Sequence, residues 1–201
     1  MDEKKIEEYI KVVEQLVEKY VISEERKKAF EIFFEKYGDR YFTCPASSRI
    51  SYHEAYPGGL VEHSLIVLKY LNLLVKAFDV KDKYSKEVLV TVALLHDVGK
   101  IGDSKNDYYV PEESDWHREK LGKMYDTSKK CQQSHHSRRS LFILQDCGFK
   151  LTEEEFESIL YHDGQSLQNN NDINLKEYDL TLFLNWADRF SIQYKINKEK
   201  E

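Results

Sequence analysis

The chain has 201 residues, 41% of them hydrophobic, with 36 acidic against 30 basic side chains and three cysteines, which suits one compact domain with a sizeable core. A formal net charge of −6 argues against a long nucleic-acid groove dominated by phosphate neutralisation, while a small or short phosphorylated partner stays open. Cys44, Cys131 and Cys147 are widely spaced, with no CxxC pair, which speaks against a disulfide framework or a cysteine zinc site.

No apolar run approaches the roughly 18 residues of a membrane span, and Met1 to Lys5 mixes acid and base rather than resembling a signal peptide. The expectation is a cytoplasmic protein with reduced thiols and no membrane contact. Ile6, Tyr9, Ile10, Val13, Leu16, Val17 and Tyr20 recur at three- and four-residue steps, the period of an amphipathic helix. Ser23 is placed to cap a second helix with Phe30, Phe33, Phe34 and Tyr37 facing inward and Gly38 ending it. A loop with Pro45, Pro57, Gly58 and Gly59 follows. Leu60 to Ala77 reads as a helix, and Lys86 to Val98 as another, with Ser85 before it and Gly99 after it. Between Ile101 and Lys130, polar residues surround Tyr108, Tyr109 and Val110, and a small β-hairpin or lid is expected around residues 107–126. Helical pattern resumes from about His136 to Cys147 and stops at Gly148. Thr152 and Glu155 form a capping box for a helix reaching His162 and closed by Gly164. Residues 165–174, rich in Asn and Gln, read as a loop, and the last helix as about Tyr178 to Tyr194. The fold class is therefore all-α, a helical bundle with little room for a sheet.

Several polar residues stand in costly places. His96 and Asp97 end the apolar run Val88 to Leu95. A carboxylate buried without a partner costs several kcal/mol, roughly, so Asp97 needs a cation, a metal or a dense set of hydrogen bonds. The negative end of the helix dipole favours a cation there. His63 shares a helix face with Leu60, Val67 and Tyr70, and Asp188 lies within the apolar pattern Leu182 to Phe190. Singly, each reads as readily as a hydrogen-bonded core group or a solvated one. Together they offer a mixed nitrogen and oxygen metal site of the kind helix bundles build.

The segment His53 to Ser64 (HEAYPGGLVEHS), then Leu94 to Ile101 (LLHDVGKI), then His135-His136, His162 and Ala187-Asp188, resembles the HD-domain phosphohydrolase superfamily. The resemblance runs from about Tyr41 to Tyr194. Within the superfamily it is most similar to the catalytic domain of HD-type 3′-to-5′ exoribonucleases and their stand-alone relatives, some phage-borne. It implies one HD-type domain over residues 1–201, with residues 1–40 as a helical extension packed on it.

The resemblance further implies that His63, His96, Asp97 and Asp188 bind one divalent ion, and that in two-ion members Asp97 bridges while His136 and His162 hold the second. Two such cations would clamp a phosphate and activate water. Mn²⁺, Fe²⁺, Co²⁺ or Ni²⁺ suit the ligand types best, with Mg²⁺ or Zn²⁺ as further options. No organic cofactor is implied. Lys100 resembles a family lysine that meets substrate phosphate; its other reading is a solvated helix-end cation. His53 resembles a residue lining the site, against a plain loop histidine. Arg138 and Arg139 offer charge that would steady a phosphate, but on a helix they read first as a solvated face, and His117 reads as a surface residue. His135 is expected to cap, line the mouth of the site or touch substrate rather than bind metal. The exoribonuclease relatives carry a nucleic-acid-binding domain ahead of the catalytic one, for which the first forty residues here are too few, so processive RNA degradation is not expected.

The function expected is hydrolysis of a phosphoester in a nucleotide, short oligonucleotide or cyclic phosphodiester. The alternatives are a di-iron oxygenase of the HD type and a non-catalytic module that senses a nucleotide. Oligomeric state is left open.

Overall fold

The computed structural model describes residues 3–131, 135–164 and 176–198. Helix α1 spans Glu3–Tyr20, α2 Glu24–Thr43, α3 Gly59–Ala77 and α4 Lys86–Leu95, after which the chain makes a 3-10 turn over Val98–Ile101. Strands β1 (Tyr109–Pro111) and β2 (Tyr125–Thr127) flank the short α5 (Asp115–Leu121); α6 (His136–Asp146), α7 (Glu153–Tyr161) and α8 (Asp179–Lys198) follow. The fold is all-α, its only sheet among the described residues being the antiparallel β1–β2 ribbon, which pairs Tyr109 with Thr127 and Pro111 with Tyr125. No described helix is long and apolar enough to cross a membrane. The tract 165–174, expected as a loop, lies outside the described residues.

Helix α3 runs through the middle. It buries Leu60, Val61, Val67, Leu71 and Val75 and packs most extensively on α8 and α4, while α7 joins α8 to α6. Helices α1 and α2 close the other side against α4 and α3. The apolar stripe of α1 centres on the fully buried Val13, and Phe30, Phe33 and Tyr41 of α2 enter the same continuous core. Each such side chain removed from water contributes roughly 1.5–3 kcal/mol.

Polar groups fix the register of these helices. Ser23 caps α2 by accepting the Arg26 N–H, and Glu87 of α4 accepts from Ile22 N, Ser23 N and Ser23 Oγ. Arg26 then reaches α7, where its guanidinium pairs with Glu155 at 2.5 and 3.0 Å and donates to the Lys150 carbonyl. Glu155 in turn completes the capping box with Thr152.

Two local expectations are corrected. Gly38 does not end α2; it is buried within the helix, and the stripe continues through Tyr41 and Phe42. The helix stops where Pro45 forces Cys44 into extended geometry, φ −66° and ψ 139°. Helix α4 ends at Leu95 rather than Val98, because the backbone turns beneath α6 there. A Cβ on Gly99 would overlap the His136 carbonyl oxygen and stand 2.7 Å from Ser140 N. Gly99 is thus a close-approach residue, not a helix stop. The small hairpin expected around residues 107–126 is present as the antiparallel β1–β2 ribbon, its strands joined by α5, which Ser114 caps through the His117 N–H and Gly122 closes in the left-handed region.

Candidate metal centre

Six side chains from five helical segments meet under α6. His63 comes from the first turns of α3, and His96 and Asp97 from the chain just past α4. His136 is the first residue of α6, His162 follows α7, and Asp188 lies in α8. All but His136 are nearly shut off from solvent.

Asp97 divides the group. Its Oδ2 stands 3.6 Å from His63 Nε2 and 3.5 Å from His96 Nε2. Those two nitrogens are 3.3 Å apart, and Asp188 Oδ1 lies 3.0 Å from His63 Nε2. Asp97 Oδ1 faces the other way, 3.2 Å from His136 Nε2 and 3.3 Å from His162 Nε2, which are 3.4 Å from each other. Asp163 Oδ2 also approaches this second set, 3.1 Å from His136 Nε2 and 3.5 Å from His162 Nε2.

Hydrogen bonding on the far side of the rings sets the direction of their lone pairs. His96 Nδ1 lies 2.9 Å from the Ala93 carbonyl and His162 Nδ1 2.8 Å from the Ile159 carbonyl, so each Nδ1 must donate. Ser191 Oγ donates to the Asp188 carbonyl and is left to accept from His63 Nδ1 at 3.3 Å. In the neutral imidazoles this network places an Nε2 lone pair toward the carboxylates on each ring. Asp97 Oδ1 is buried without a hydrogen-bond partner even though two of these nitrogens are at hand. Lone pairs facing carboxylates repel unless a cation stands between them. Ligands about 2.1 Å from one ion stand roughly 3.0–3.4 Å apart at right-angled to tetrahedral spacing. The residues present therefore fit divalent cations.

The electrostatics point the same way. Burial opposes ionisation of Asp97, yet the Lys100 ammonium and the imidazoles of His96 and His136 hold its carboxyl well below the usual range. Burial takes His96 down to about 4. Burial would lower His162 too, but Asp163 and Asp97 raise it to about 10, so a positive charge is strongly favoured at that position. A cation binding there would release that proton.

Lys100 is not a solvated helix-end cation. Its Nζ lies 2.6 Å from Asp97 Oδ2, with the side chain 12% exposed. His53 is not a plain loop histidine either; its ring stands 5.0 Å from that of His63, and its Nε2 is buried without a hydrogen-bond partner. His135 lies beside His136 at the mouth, its Nδ1 2.9 Å from Ser137 Oγ. His117 stands apart on α5, beside Glu112.

Two residues were passed over by sequence reasoning. Arg139 was assigned to a solvated face but is buried; its Nε donates to the Gly99 carbonyl and its guanidinium lies over the Tyr108 ring, 4.4 Å from the centroid. Asp163 was not singled out. The signal for it was a second His-Asp pair, His162-Asp163, again directly past the end of a helix.

A family model described as HD domain matches residues 60–191. That span, well over half the chain, takes in His63, His96, Asp97, Lys100, His136, His162 and Asp188 and leaves out His53. No curated protein and no solved structure matches the chain.

Proposed function

The chain belongs to the HD-domain family, a superfamily of metal-dependent phosphohydrolases, and from that premise we propose that it hydrolyses a phosphoester of a nucleotide, a short oligonucleotide or a cyclic phosphodiester. The observation that carries this reading is the division of Asp97, whose two oxygens face two separate sets of imidazoles and carboxylates. His63, His96, Asp97 and Asp188 would hold one divalent cation, and Asp97, His136 and His162 a second. When bound, such a pair polarises a phosphoryl oxygen and acidifies a water.

The remaining roles fall to the protein. Lys100, 2.6 Å from Asp97 and 12% exposed, offers its ammonium to a phosphoryl oxygen, which favours an anionic substrate. His53 has an unused buried nitrogen against His63 and would meet a substrate group on that side. The carbonyl ends of α4 and α7 bring negative dipole ends to the cations. The net charge of −6 supports a small or short substrate rather than a long polynucleotide. Likeness to exoribonuclease catalytic domains rests on the motif residues alone and directs the choice of oligonucleotides to test.

The experiment is a panel of mono-, di-, tri- and cyclic nucleotides with short RNA and DNA, each assayed for product release with Mn²⁺, Fe²⁺, Co²⁺, Ni²⁺, Mg²⁺ and Zn²⁺. Release from at least one phosphoester, abolished by chelation, is expected. Oxygen consumption by the iron-loaded protein with no phosphoester turnover would replace the proposal with the oxygenase. Thermal stabilisation by a nucleotide without any turnover would replace it with a sensing module.

A further inference from the structure

The pairs His96-Asp97 and His162-Asp163 are built alike. Each histidine directly follows its helix in right-handed geometry, with φ and ψ of −57° and −38° for His96 and −56° and −26° for His162. Each donates Nδ1–H to the carbonyl three residues back, at 2.9 and 2.8 Å. Each is followed by an aspartate whose oxygen stands near its Nε2, at 3.5 Å in both cases. The first pair supplies Asp97.

We propose that Asp163 is a direct ligand of the second cation, so that each ion is held by two imidazoles and two carboxylates, with Asp97 shared between them. This rests on the two-cation reading above. A carboxylate that merely oriented a metal-binding histidine would sit on the nitrogen turned away from the ion. At His162 that nitrogen is already bonded to the Ile159 carbonyl. Asp163 Oδ2 instead approaches the Nε2 atoms of both His136 and His162, at 3.1 and 3.5 Å. These are the same nitrogens that Asp97 Oδ1 faces at 3.2 and 3.3 Å. Oδ2 is itself buried, while the Asp163 side chain as a whole is 26% exposed. That placement puts the carboxylate on the outer wall of the second cation's position. His135 is a weaker candidate for the same wall, since its Nε2 is 3.9 Å from Asp163 Oδ2 and its Nδ1 is engaged with Ser137.

Titration of the full chain with Mn²⁺, followed by elemental analysis after desalting, tests the assignment without recourse to activity. The wild type should bind two ions per chain. Asp163→Asn should retain one and bind the other at least tenfold more weakly, and Asp163→Glu, which keeps the charge, should recover part of the loss. Asp188→Asn serves as the comparator, weakening the ion at the opposite set. Circular dichroism of each variant in chelator reports the fold; if Asp163→Asn does not fold, the Asp163→Glu titration decides, one ion bound more weakly than in the wild type supporting the assignment and two ions at wild-type affinity overturning it. Two ions at wild-type affinity in folded Asp163→Asn overturn the proposal alone. A single ion in the wild type overturns both the two-cation reading and this assignment.

Discussion

Ser140 stands directly against Gly99, its Oγ accepting the Gly99 N–H at 2.8 Å and donating to the His96 carbonyl at 2.7 Å. One hydroxyl thereby ties α6, which carries His136, to the turn that carries Asp97. Ser140→Ala leaves a buried N–H unpaired and should cost about 1–3 kcal/mol. Gly99→Ala should cost about 3 kcal/mol, the upper end for overpacking, because its Cβ meets backbone rather than a yielding side chain. Thermal melts rank the two. Wild-type melting of Gly99→Ala would refute the close approach of α6 to Gly99.

Asp97→Ala should lose metal and turnover together, since Asp97 alone faces both sets of imidazoles. It also leaves the Lys100 ammonium, 12% exposed, without its partner, at a cost of roughly 3–5 kcal/mol. Elemental analysis of the folded fraction is the measurement. Full metal occupancy with normal turnover would refute the centre.

His136→Ala should lose one cation and His135→Ala neither. The His136 Nε2 faces Asp97 Oδ1 at 3.2 Å, whereas the His135 ring is about one-third exposed and bonded to Ser137. Metal stoichiometry compares them directly. Loss in His135→Ala with both ions kept in His136→Ala would reverse the assignment.

Arg26→Met should destabilise the protein by about 3–5 kcal/mol, because it strands the carboxylate of Glu155, whose side chain is 1% exposed. Pairing it with Glu155→Gln should restore part of that stability, the amide removing the buried charge. Denaturant unfolding of the single and double variants gives the coupling. Simple additivity would mean that the two groups do not interact.

Acid should weaken the seam between α2 and α4. Burial works to raise the Glu87 carboxyl, but hydrogen bonds from Ser23 Oγ and from the Ile22 and Ser23 N–H groups, with the Arg26 charge, hold it below the ordinary value. A depressed folded pKa contributes stability in full above the unfolded value, about 4.3, which is lost as pH falls through the folded value. Glu87→Gln should therefore be less stable than wild type at pH 7, with the difference shrinking below about pH 4.3. Melting curves across that interval that run parallel would rule this out.

The helices whose boundaries are set by neighbouring residues were legible in the sequence. Ser23 and the Thr152–Glu155 box give their signals within one turn of chain. Helix α4 was read too long because its end is imposed from outside, by the passage of α6 over Gly99. Helix α5 was missed since its seven residues have no apolar period; its caps and the Glu112 pairs with Lys123 and His117 are what surround it. His63, His96, Asp97 and Asp188 were individually visible as polar residues in apolar runs, whereas His136 and His162 were indicated only by the family resemblance; the structure brings all six together. Arg139 was misplaced because its partners, Tyr108 beside the ribbon and the Gly99 carbonyl, come from distant segments that helical periodicity does not register. Asp163 escaped notice because an aspartate before a glycine reads as part of a turn.

Tyr41 donates its hydroxyl to the Leu94 carbonyl, two residues before His96. Residue 60, where the family match begins, is thus a boundary of shared ancestry and not of mechanical independence. The helix that delivers His96 and Asp97 leans on a tyrosine from outside the matched span, with Phe30 and Phe33 behind it in the same interior. A protein shortened to the matched residues would retain all six candidate ligands and yet have lost one wall of the vault that aligns them. Variation in α2 therefore offers a route by which substitutions well away from the centre could retune its spacing while leaving every ligand in place.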